Sequence, residues 1–436
     1  MNTGMSVRKR ALQALMQFEQ SDTSMKTVLR EMQTTTADVS EIQISSSLSL
    51  SVIRYRNTID YLLTRFLKQQ KLSDLNIRER NALRLVLYET KWMGLDLETT
   101  LSQYPKIKAS HLKAVTLALT SNLDELVQDL PLVNKLSIKY SHPTFLVKTL
   151  LDNMPLEETI QALKENNSSR NYYLRPNRLK NGDISILDSI AGVRISKDST
   201  IPGLFIVDEG IQRIVTSQPF YDGLILLQDK ASIFVVEAVD PQQGQTIWDS
   251  CAAPGMKTQL IAEKLRTNGK VIASDVYRDR VCAAKARSMQ LNAHQIEWIL
   301  ADSTQPVVTS ADKILIDAPC TSSGILQSYP SFKWRLNKDT LFSLMTVQNK
   351  LLERIISSNQ NHPGTEIIFS TCSILPHEGE SQIDNILTKY SAELLDPVVP
   401  GAHGYPGFKC SNQVTRLFPH KHKTGGFFIA RLRLKH

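Results

Sequence analysis

Residues 231–436 alternate strand-like and helix-like segments, and this alternation constrains the fold more than any other feature of the chain. Short apolar runs such as 246–249 (Thr-Ile-Trp-Asp) and 313–317 (Lys-Ile-Leu-Ile-Asp) are separated by segments with helical spacing, for example from Arg278 and from about Thr340. Strict alternation of strand and helix favours a parallel sheet with helices on both faces. The pattern predicts a Rossmann-like α/β domain over 231–436, with a doubly wound, mostly parallel sheet.

The rest of the chain follows different patterns. Residues 1–140 place apolar side chains three and four positions apart and show little strand pattern, which predicts an all-α domain. Its stretch 77–89 carries basic residues beside an apolar stripe, so these residues form either a solvated helix face or a face that contacts phosphates. In residues 141–230, turn-forming Pro and Asn residues alternate with short β-rich runs, and this pattern predicts a linker and a small α+β subdomain.

Composition limits the classes of protein. The 51 Lys and Arg exceed the 43 Asp and Glu by eight, and the excess lies at both ends of the chain, which suits a polyanionic partner without requiring one. No run approaches the roughly 18 apolar residues of a membrane span, and no apolar signal core follows Met1. The sequence therefore predicts a cytoplasmic protein with no membrane segment.

The five cysteines are an odd number and contain no Cys-x-x-Cys pair. Neither a disulfide framework nor a metal site is predicted, so any role for these cysteines is as free thiols.

Four aspartates fall at the ends of four consecutive predicted strands: Asp249, Asp275, Asp302 and Asp317. In an open α/β sheet, ligands bind at the carboxyl ends of the strands. A loop of small residues follows Asp249 and lets the backbone approach a ligand, while Asp275 is placed to accept both hydroxyls of a ribose. Together these features favour a nucleoside cofactor, although the sheet alone does not separate a dehydrogenase from a methyltransferase.

Two thiols, Cys320 and Cys372, lie just past strand ends on the same ligand side. A single cysteine there is usually a small buried filler, but two at one edge favour chemistry. Cytosine C5 is a poor nucleophile until a thiolate adds to C6 and turns the ring into an enamine, and a second acid or base must then help to break the adduct. Two thiols in these positions suit such a reaction.

The motifs resemble those of the Sun/NOL1/NOP2 family of RNA cytosine-5 methyltransferases, over about residues 140–436. The resemblance rests on three main motifs: the cofactor loop Asp-Ser-Cys-Ala-Ala-Pro-Gly-Met-Lys-Thr at 249–258, Asp-Ala-Pro-Cys at 317–320 and Ser-Thr-Cys-Ser at 370–373. Four accessory signatures also match, at 175–179, 228–232, 416–420 and 426–432. The helical N-terminal domain is similar to NusB, an RNA-binding protein. In this family a NusB-like domain ahead of the catalytic unit is the layout of bacterial enzymes acting on small-subunit ribosomal RNA.

The resemblance implies a role for each matching position. Cys372 would attack C6, Cys320 would help to release the product, and Asp317 would lie beside the reacting base. S-adenosylmethionine would be the cofactor, with Asp275 at its ribose and Asp302 on its adenine side. The predicted cofactor-binding residues are Cys251, Ala252, Ala253, Pro254, Gly255, Met256, Lys257, Asp275, Arg280, Asp302 and Asp317, with no metal.

The implied partner is 16S ribosomal RNA, naked or in an early small-subunit particle, bound by a monomer. Two alternatives stay open: the same chemistry on transfer RNA or 23S ribosomal RNA, and a non-catalytic RNA-binding assembly factor. The sequence departs from the family pattern at Gly379, where Asn is usual, and at Ser331, where Asp is common. These departures leave both thiols, the cofactor loop and the strand-end aspartates intact.

Overall fold

A computed structural model describes residues 7–21, 23–32, 39–67, 71–104 and 107–435. The chain divides into two compact units, the first made of Met1–Ser168 with Leu326–Asn337 and the second of Ser169–Ile325 with Lys338–His436. None of the helices in the described ranges is long and apolar enough to cross a membrane. The start of the chain, where no signal core is predicted, lies outside the described residues.

The first unit is helical, which confirms the all-α prediction for the N-terminal region. Its described helices are α1 (Val7–Gln20), α2 (Met25–Met32), α3 (Val39–Arg54), α4 (Arg56–Phe66), α5 (Ile77–Lys91), α6 (Leu97–Ser102), α7 (Ala109–Thr120), α8 (Leu123–Leu126), α9 (Leu132–Lys139), α10 (Thr144–Leu151) and α11 (Leu156–Glu165). The apolar stripes of α1, α3, α4, α5 and α7 meet in one core, in which Leu15, Leu62 and Leu83 are fully buried. Asn76 caps α5 by accepting a hydrogen bond from the Glu79 backbone N–H.

Two basic residues of α5, Arg80 and Arg84, have a different role from both predicted ones, whereas Arg78 is exposed. Arg80 Nε donates to Glu19 at 3.0 Å, and Arg84 Nε donates to Asp60 at 2.7 Å. Arg84 is only 4% exposed. Because carboxylates within the unit already neutralise Arg80 and Arg84, neither a solvated face nor a phosphate-binding face describes these two side chains.

The first unit continues beyond residue 140, where the sequence places a boundary. Helices α10 and α11 belong to it, and so does the segment 326–337, which lies far along the chain. Lys333 of this segment is fully buried and donates to the carbonyl oxygens of Arg54 and Ser141 at 3.2 and 3.0 Å. The segment is therefore held in the first unit by contacts with residues about 190 and 280 positions away, which no local pattern indicates.

The second unit begins with a small antiparallel sheet in the order β2-β3-β1-β4. Its elements are β1 (Tyr173–Pro176), β2 (Arg194–Lys197), β3 (Phe205–Glu209), α12 (Ile211–Val215), α13 (Gln218–Tyr221) and β4 (Ile225–Leu227). Short strands are thus present where β-rich runs alternate with turns in the sequence. The limits of the predicted domains stay a prediction.

A large mixed sheet follows, with helices on both faces. Its elements are α14 (Lys230–Val239), β5 (Thr246–Asp249), α15 (Met256–Leu265), β6 (Lys270–Asp275), α16 (Arg278–Gln290), β7 (Ile296–Leu300), β8 (Lys313–Asp317), α17 (Lys338–Asn359), β9 (Glu366–Thr371), α18 (Glu380–Lys389), β10 (Ala392–Leu395), β11 (Thr415–Leu417), α19 (Pro419–His422) and β12 (Phe427–Leu434). The predicted alternation of strands and helices is confirmed.

The strand order is β10-β12-β9-β8-β5-β6-β7, with β11 paired to β12. Strands β5 to β9 are mutually parallel, while β12 is antiparallel to its neighbours β9, β10 and β11. This confirms the doubly wound, mostly parallel sheet. The chain runs from β5 outward through β6 and β7 and then returns to β8 on the other side of β5, so the carboxyl ends of β5 and β8 flank the switch in direction, where such sheets bind ligands.

Candidate active site

The two predicted reactive thiols lie side by side at the carboxyl edge of the sheet. Strands β8 and β9 are parallel neighbours with Asp317 opposite Ser370, so the segments that follow them leave the sheet together. Cys320 Sγ and Cys372 Sγ are 3.2 Å apart. The loop that follows Cys320 is joined to Cys372, since the Gly324 backbone N–H donates to the Cys372 carbonyl oxygen at 3.0 Å.

The environment drives the two thiol pKa values in opposite directions. The hydrogen bond from Cys320 lowers the pKa of Cys372, and the Ser322 hydroxyl, 3.5 Å away, acts the same way against the effect of burial. The pKa of Cys320 is raised well above its ordinary value by that same hydrogen bond and by burial. Since a thiolate is the reactive form of cysteine, these shifts make Cys372 the more reactive thiol of the two and favour the neutral form of Cys320.

A partly buried ion pair lies next to the thiols. Lys257 Nζ is 2.6 Å from Asp317 Oδ2, and Ser370 Oγ donates to the other carboxylate oxygen at 2.8 Å. Burial opposes the charge of Lys257, but the carboxylate of Asp317 outweighs it and raises the lysine pKa. The positive charge of Lys257 in turn helps to lower the pKa of Cys372. The charged groups of Lys257 and Asp317 are therefore fixed by contacts within the protein itself.

The predicted cofactor loop connects β5 to α15. Gly255 has φ +95° and comes just before the first residue of α15; a Cβ added there would lie 3.1 Å from the Trp298 ring. Glycine is thus required both by the backbone conformation and by the close approach. Cys251 in this loop is a different kind of thiol, because burial raises its pKa and keeps it neutral.

Asp275, at the end of β6, is joined to this loop. Its carboxylate accepts from the backbone N–H groups of Ala253 and Tyr277 at 3.2 and 3.1 Å, and Arg280 Nη1 lies 3.3 Å from it. Arg280 also donates to the Ala253 carbonyl oxygen. The structure therefore brings together the loop, Asp275 and Arg280.

Asp302 differs from the other strand-end aspartates. Its side chain is exposed and accepts from the Thr304 backbone N–H at 2.9 Å, which is a local turn of the Asx type. The assignment of Asp302 to the adenine side of a cofactor remains a prediction.

Three residues at this edge have surroundings and contacts that the sequence does not reveal. Asp249 is 1% exposed, and its Oδ1 has no hydrogen-bond partner in the described part of the chain. Burial raises the pKa of Asp249 to about 7. Ser322 contacts the Cys372 thiol, and Glu378 contacts the loop that holds Cys320. The strand-end position of Asp249 was a signal for it, whereas Ser322 and Glu378 lie in motif flanks that carry no chemical pattern.

Over the ranges that the structure describes, no group of three or more His, Cys, Asp or Glu side chains is arranged to hold a metal ion.

Two family models match this chain. The model described as 16S rRNA methyltransferase RsmB/F matches residues 236–433, and that of the NusB family matches residues 5–107. The first match covers both thiol loops and the cofactor loop, and the second lies within the helical unit. The two matches agree with the resemblance drawn from the motifs.

Individual relatives agree with the match to the methyltransferase family model. A human protein named 28S rRNA (cytosine(4447)-C(5))-methyltransferase is 28% identical over 313 residues, which are 68% of this chain and 38% of the human protein. The chain thus spans well under half the length of that relative. A Bacillus subtilis protein named as a probable ribosomal RNA small subunit methyltransferase B is 25% identical over 472 residues, with 99% of both chains covered. A crystal structure of a methyltransferase homolog protein from Pyrococcus horikoshii is 25% identical, with a TM-score of 0.62 over 70% of this chain and 99% of the other.

Proposed function

Since this chain belongs to the 16S rRNA methyltransferase RsmB/F family, with an N-terminal part from the NusB family, we propose that it methylates C5 of a cytosine in 16S ribosomal RNA, using S-adenosylmethionine. Cys372 is the nucleophile that adds to C6 of the base. Cys320 assists the release of the product. All residues assigned to these steps lie within one unit of one chain, so the proposal needs no second copy, and it places the reaction in the cytoplasm.

One observation carries the proposal: two thiols 3.2 Å apart whose pKa values move in opposite directions. A non-catalytic RNA-binding protein has no need for a thiolate stabilised by a neighbouring thiol. A dehydrogenase would use the cofactor loop without either cysteine. The paired thiols therefore favour covalent catalysis over both alternatives.

The residues present fit the proposed cofactor. Asp249 offers a buried carboxylate oxygen without a hydrogen-bond partner in the described residues, which suits a cationic group, and Gly255 leaves space where a side chain would meet Trp298. Residues 251–257 would hold the methionine part and Asp275 the ribose. When bound, S-adenosylmethionine supplies a methyl group on a positively charged sulfur.

The chain's own residues account for the activation of the base. The Cys372 thiolate adds to C6, a C–S bond forms, and the displaced electron pair makes C5 nucleophilic. Asp317 lies beside Cys372, where its carboxylate can accept a hydrogen bond from N3 of the base once N3 carries a proton, and Lys257 balances the charge of the carboxylate. With S-adenosylmethionine bound, C5 would accept the methyl group as the cofactor sulfur leaves as a neutral thioether, and C5 would still carry its proton.

Release reverses the addition. A base removes the C5 proton, the electron pair forms the C5–C6 double bond, and the C–S bond breaks, so that Cys372 leaves as a thiolate. The Cys320 S–H, 3.2 Å away, donates a hydrogen bond to this departing thiolate and stabilises it. The two thiols therefore serve opposite ends of one reaction.

The name of the Bacillus subtilis relative, which matches over nearly its whole length, supports small-subunit RNA as the substrate. Bisulfite sequencing of ribosomal and transfer RNA from a strain lacking the protein tests this choice. Loss of one methylcytosine from 16S RNA is expected. A loss confined to 23S or transfer RNA would replace the substrate, and no loss from any RNA would contradict the proposed activity.

The thiol roles are tested with Cys372→Ala and Cys320→Ala, each incubated with substrate RNA and S-adenosylmethionine and run on a denaturing gel. Cys372→Ala is expected to form no adduct and to lose methylation by at least about 1000-fold. Cys320→Ala is expected to attack and methylate but to release slowly, leaving a protein–RNA band of low mobility. An adduct with Cys372→Ala and none with Cys320→Ala would reverse the roles, and no adduct with either would remove the covalent mechanism.

A further inference from the structure

Glu378 is a fully buried acid that none of the proposed steps uses. It ends the short 3-10 helix Pro376–Glu378, six residues after Cys372. Its Oε1 accepts from the Thr321 backbone N–H at 2.8 Å, and its Oε2 accepts from the Thr321 hydroxyl at 2.5 Å. A carboxylate, which has only acceptors, is thus aimed at the residue next to Cys320.

Gln348, on helix α17, completes this contact from the other side. Its Nε2 donates to Glu378 Oε1 at 3.0 Å and to the Pro319 carbonyl oxygen at 2.8 Å. Gln348 is also fully buried. The peptide groups on both sides of Cys320 are therefore fixed by one buried network.

The main chain of Glu378 has a separate task. Its carbonyl oxygen accepts from the Thr371 hydroxyl at 3.0 Å, and Thr371 is the residue before Cys372. The side chain of Glu378 thus holds the Cys320 loop, while its backbone holds the Cys372 loop. A substitution of the side chain separates the two tasks, because the backbone contact remains.

We propose that Glu378 is a positioning residue that sets Cys320 at the distance from Cys372 needed for product release. The inference rests on the proposed function, in which Cys320 assists release. A donor 3.2 Å from a sulfur has little tolerance for displacement, and a shift of about 1 Å in a reacting group can cost about 100-fold in rate. The charge of Glu378 also helps to raise the pKa of Cys320, but the inference concerns geometry, because the hydrogen bonds to Thr321 and Gln348 fix the position of the loop.

Two substitutions distinguish geometry from charge. Glu378→Ala removes the acceptors for Thr321 and Gln348. In Glu378→Gln the amide oxygen can replace Oε1 for both N–H donors, and its NH₂ group can donate to the Thr321 hydroxyl, which then becomes the acceptor. The glutamine keeps the shape of the network without the negative charge.

The test measures kcat and KM for substrate RNA at saturating S-adenosylmethionine, together with the adduct on a denaturing gel. Glu378→Ala is expected to lower kcat by about 10- to 100-fold with KM within about 3-fold, and to accumulate adduct as Cys320→Ala does. Glu378→Gln is expected to stay within about 3-fold of the wild type. Wild-type kcat in Glu378→Ala, or a Glu378→Gln variant as slow as Glu378→Ala, would overturn the inference.

A double variant shows whether Glu378 acts through Cys320. Once Cys320 is alanine, Glu378→Ala should slow release no further, because the group it positions is gone. An additional loss as large as in the single variant would mean that Glu378 acts elsewhere, and the inference would fail. Glu366→Gln, a buried acid at the opposite edge of the sheet, is the matched control and should keep wild-type kcat.

Two further results keep the test decisive. If Glu378→Ala does not fold, Thr321→Val removes the hydroxyl donor alone and should slow release by about 3- to 10-fold, and an unchanged rate would contradict the proposal. If Cys320→Ala itself accumulates no adduct, the proposed thiol roles fail. If both thiol variants behave as assigned while Glu378→Ala is normal, only the inference about Glu378 fails.

Discussion

The amino and carboxyl ends of the same parallel strands differ in how completely their charged and polar side chains are paired. At the amino ends of β8 and β9, Lys313 lies 3.7 Å from Glu366, and Glu366 accepts from Arg431 and Arg433 at 2.6 and 2.7 Å. Lys313 also donates to two backbone carbonyl oxygens of 239–240. Every charged side chain in this group has a matching partner.

At the carboxyl ends the matching is incomplete. Asp317 is paired with Lys257, but Asp249 is buried with one oxygen that has no partner in the described residues, and the pKa of Cys372 is lowered by its hydrogen bond from Cys320. Buried groups that are left unsatisfied cost free energy, and they are retained where a ligand satisfies them. The comparison teaches that polar side chains are fully paired at the amino ends of these strands and incompletely paired at the carboxyl ends, where we propose that the reaction takes place.

Among the substitutions that test the comparison between the two ends, Asp317→Asn is expected to have the largest effect. The amide oxygen can still accept from Lys257, so the protein should fold, but the charge beside the thiolate is lost. Removal of one preorganised electrostatic group typically costs about 100- to 1000-fold in rate, and we expect a loss of that size in kcat. Steady-state kinetics on substrate RNA measure it, and a kcat within 3-fold of wild type would place Asp317 outside the reaction.

Asp249 gives a prediction on pH dependence. Burial raises its pKa from the ordinary 3.8 to about 7, so the folded protein prefers the neutral acid. This preference favours folding below pH 3.8, and the advantage is lost as pH rises toward 7. Asp249→Asn does not titrate, so its stability relative to the wild type should increase between pH 4 and pH 8 by about 3 kcal/mol. Urea unfolding of the cofactor-free protein at both pH values measures the change, and a difference independent of pH would mean that Asp249 is ionised throughout.

Glu366→Gln should affect stability and leave activity unchanged. Removing this charge leaves Lys313 and Arg431 short of a partner, which costs about 3 kcal/mol by comparison with other broken buried ion pairs. Although burial opposes it, hydrogen bonds from Arg433 and Arg431 lower the pKa of Glu366 below its ordinary 4.5. The stabilisation is therefore present above pH 4.5 and lost as pH falls through the lower folded value, so the two proteins should converge in acid. Thermal unfolding measures this, and a loss of kcat in the variant would break the comparison between the two ends.

The sequence reveals the thiols and aspartates at the carboxyl ends of the strands better than it reveals the residues that hold them in place. Both thiols and the aspartates follow directly after strands, so their position is readable from the order of elements along the chain. The groups that hold them are distant in sequence: Thr321 and Glu378 are 57 residues apart, and the buried pair of Arg416 with Glu380 spans 36. Pairings of this kind depend on how the loops pack and leave no periodic signal.

The departure at Gly379 has a similar explanation. A Cβ at this position would lie 2.5 Å from Arg416 Nη2 and 2.7 Å from the Phe428 ring. The Asn that is usual in the family therefore has no room here unless these side chains shift. Ser331, the other departure, is buried within the segment 326–337, whose place in the helical unit depends on the long-range contacts of Lys333.

The smallest expected effect concerns Asp275, which lies at the carboxyl end of β6 but is better matched than Asp249. Its carboxylate already accepts from Ala253 and Tyr277, so it organises the cofactor loop as well as offering acceptors to a ribose. Asp275→Ala should weaken S-adenosylmethionine binding by about 10- to 30-fold, since hydrogen bonds to a charged group contribute about 1.5 to 3 kcal/mol and part of the loop remains.

Calorimetry with S-adenosylmethionine measures the loss, and RNA binding by the same variant should change little because the carboxylate is assigned to the cofactor alone. Asp279→Ala, an exposed acid in the first turn of α16, is the matched control for loss of one negative charge near the loop. Equal weakening in both variants would indicate a general electrostatic effect of the surface. Unchanged cofactor affinity in Asp275→Ala would remove the ribose assignment and leave Asp275 as a purely structural link between β6 and the loop.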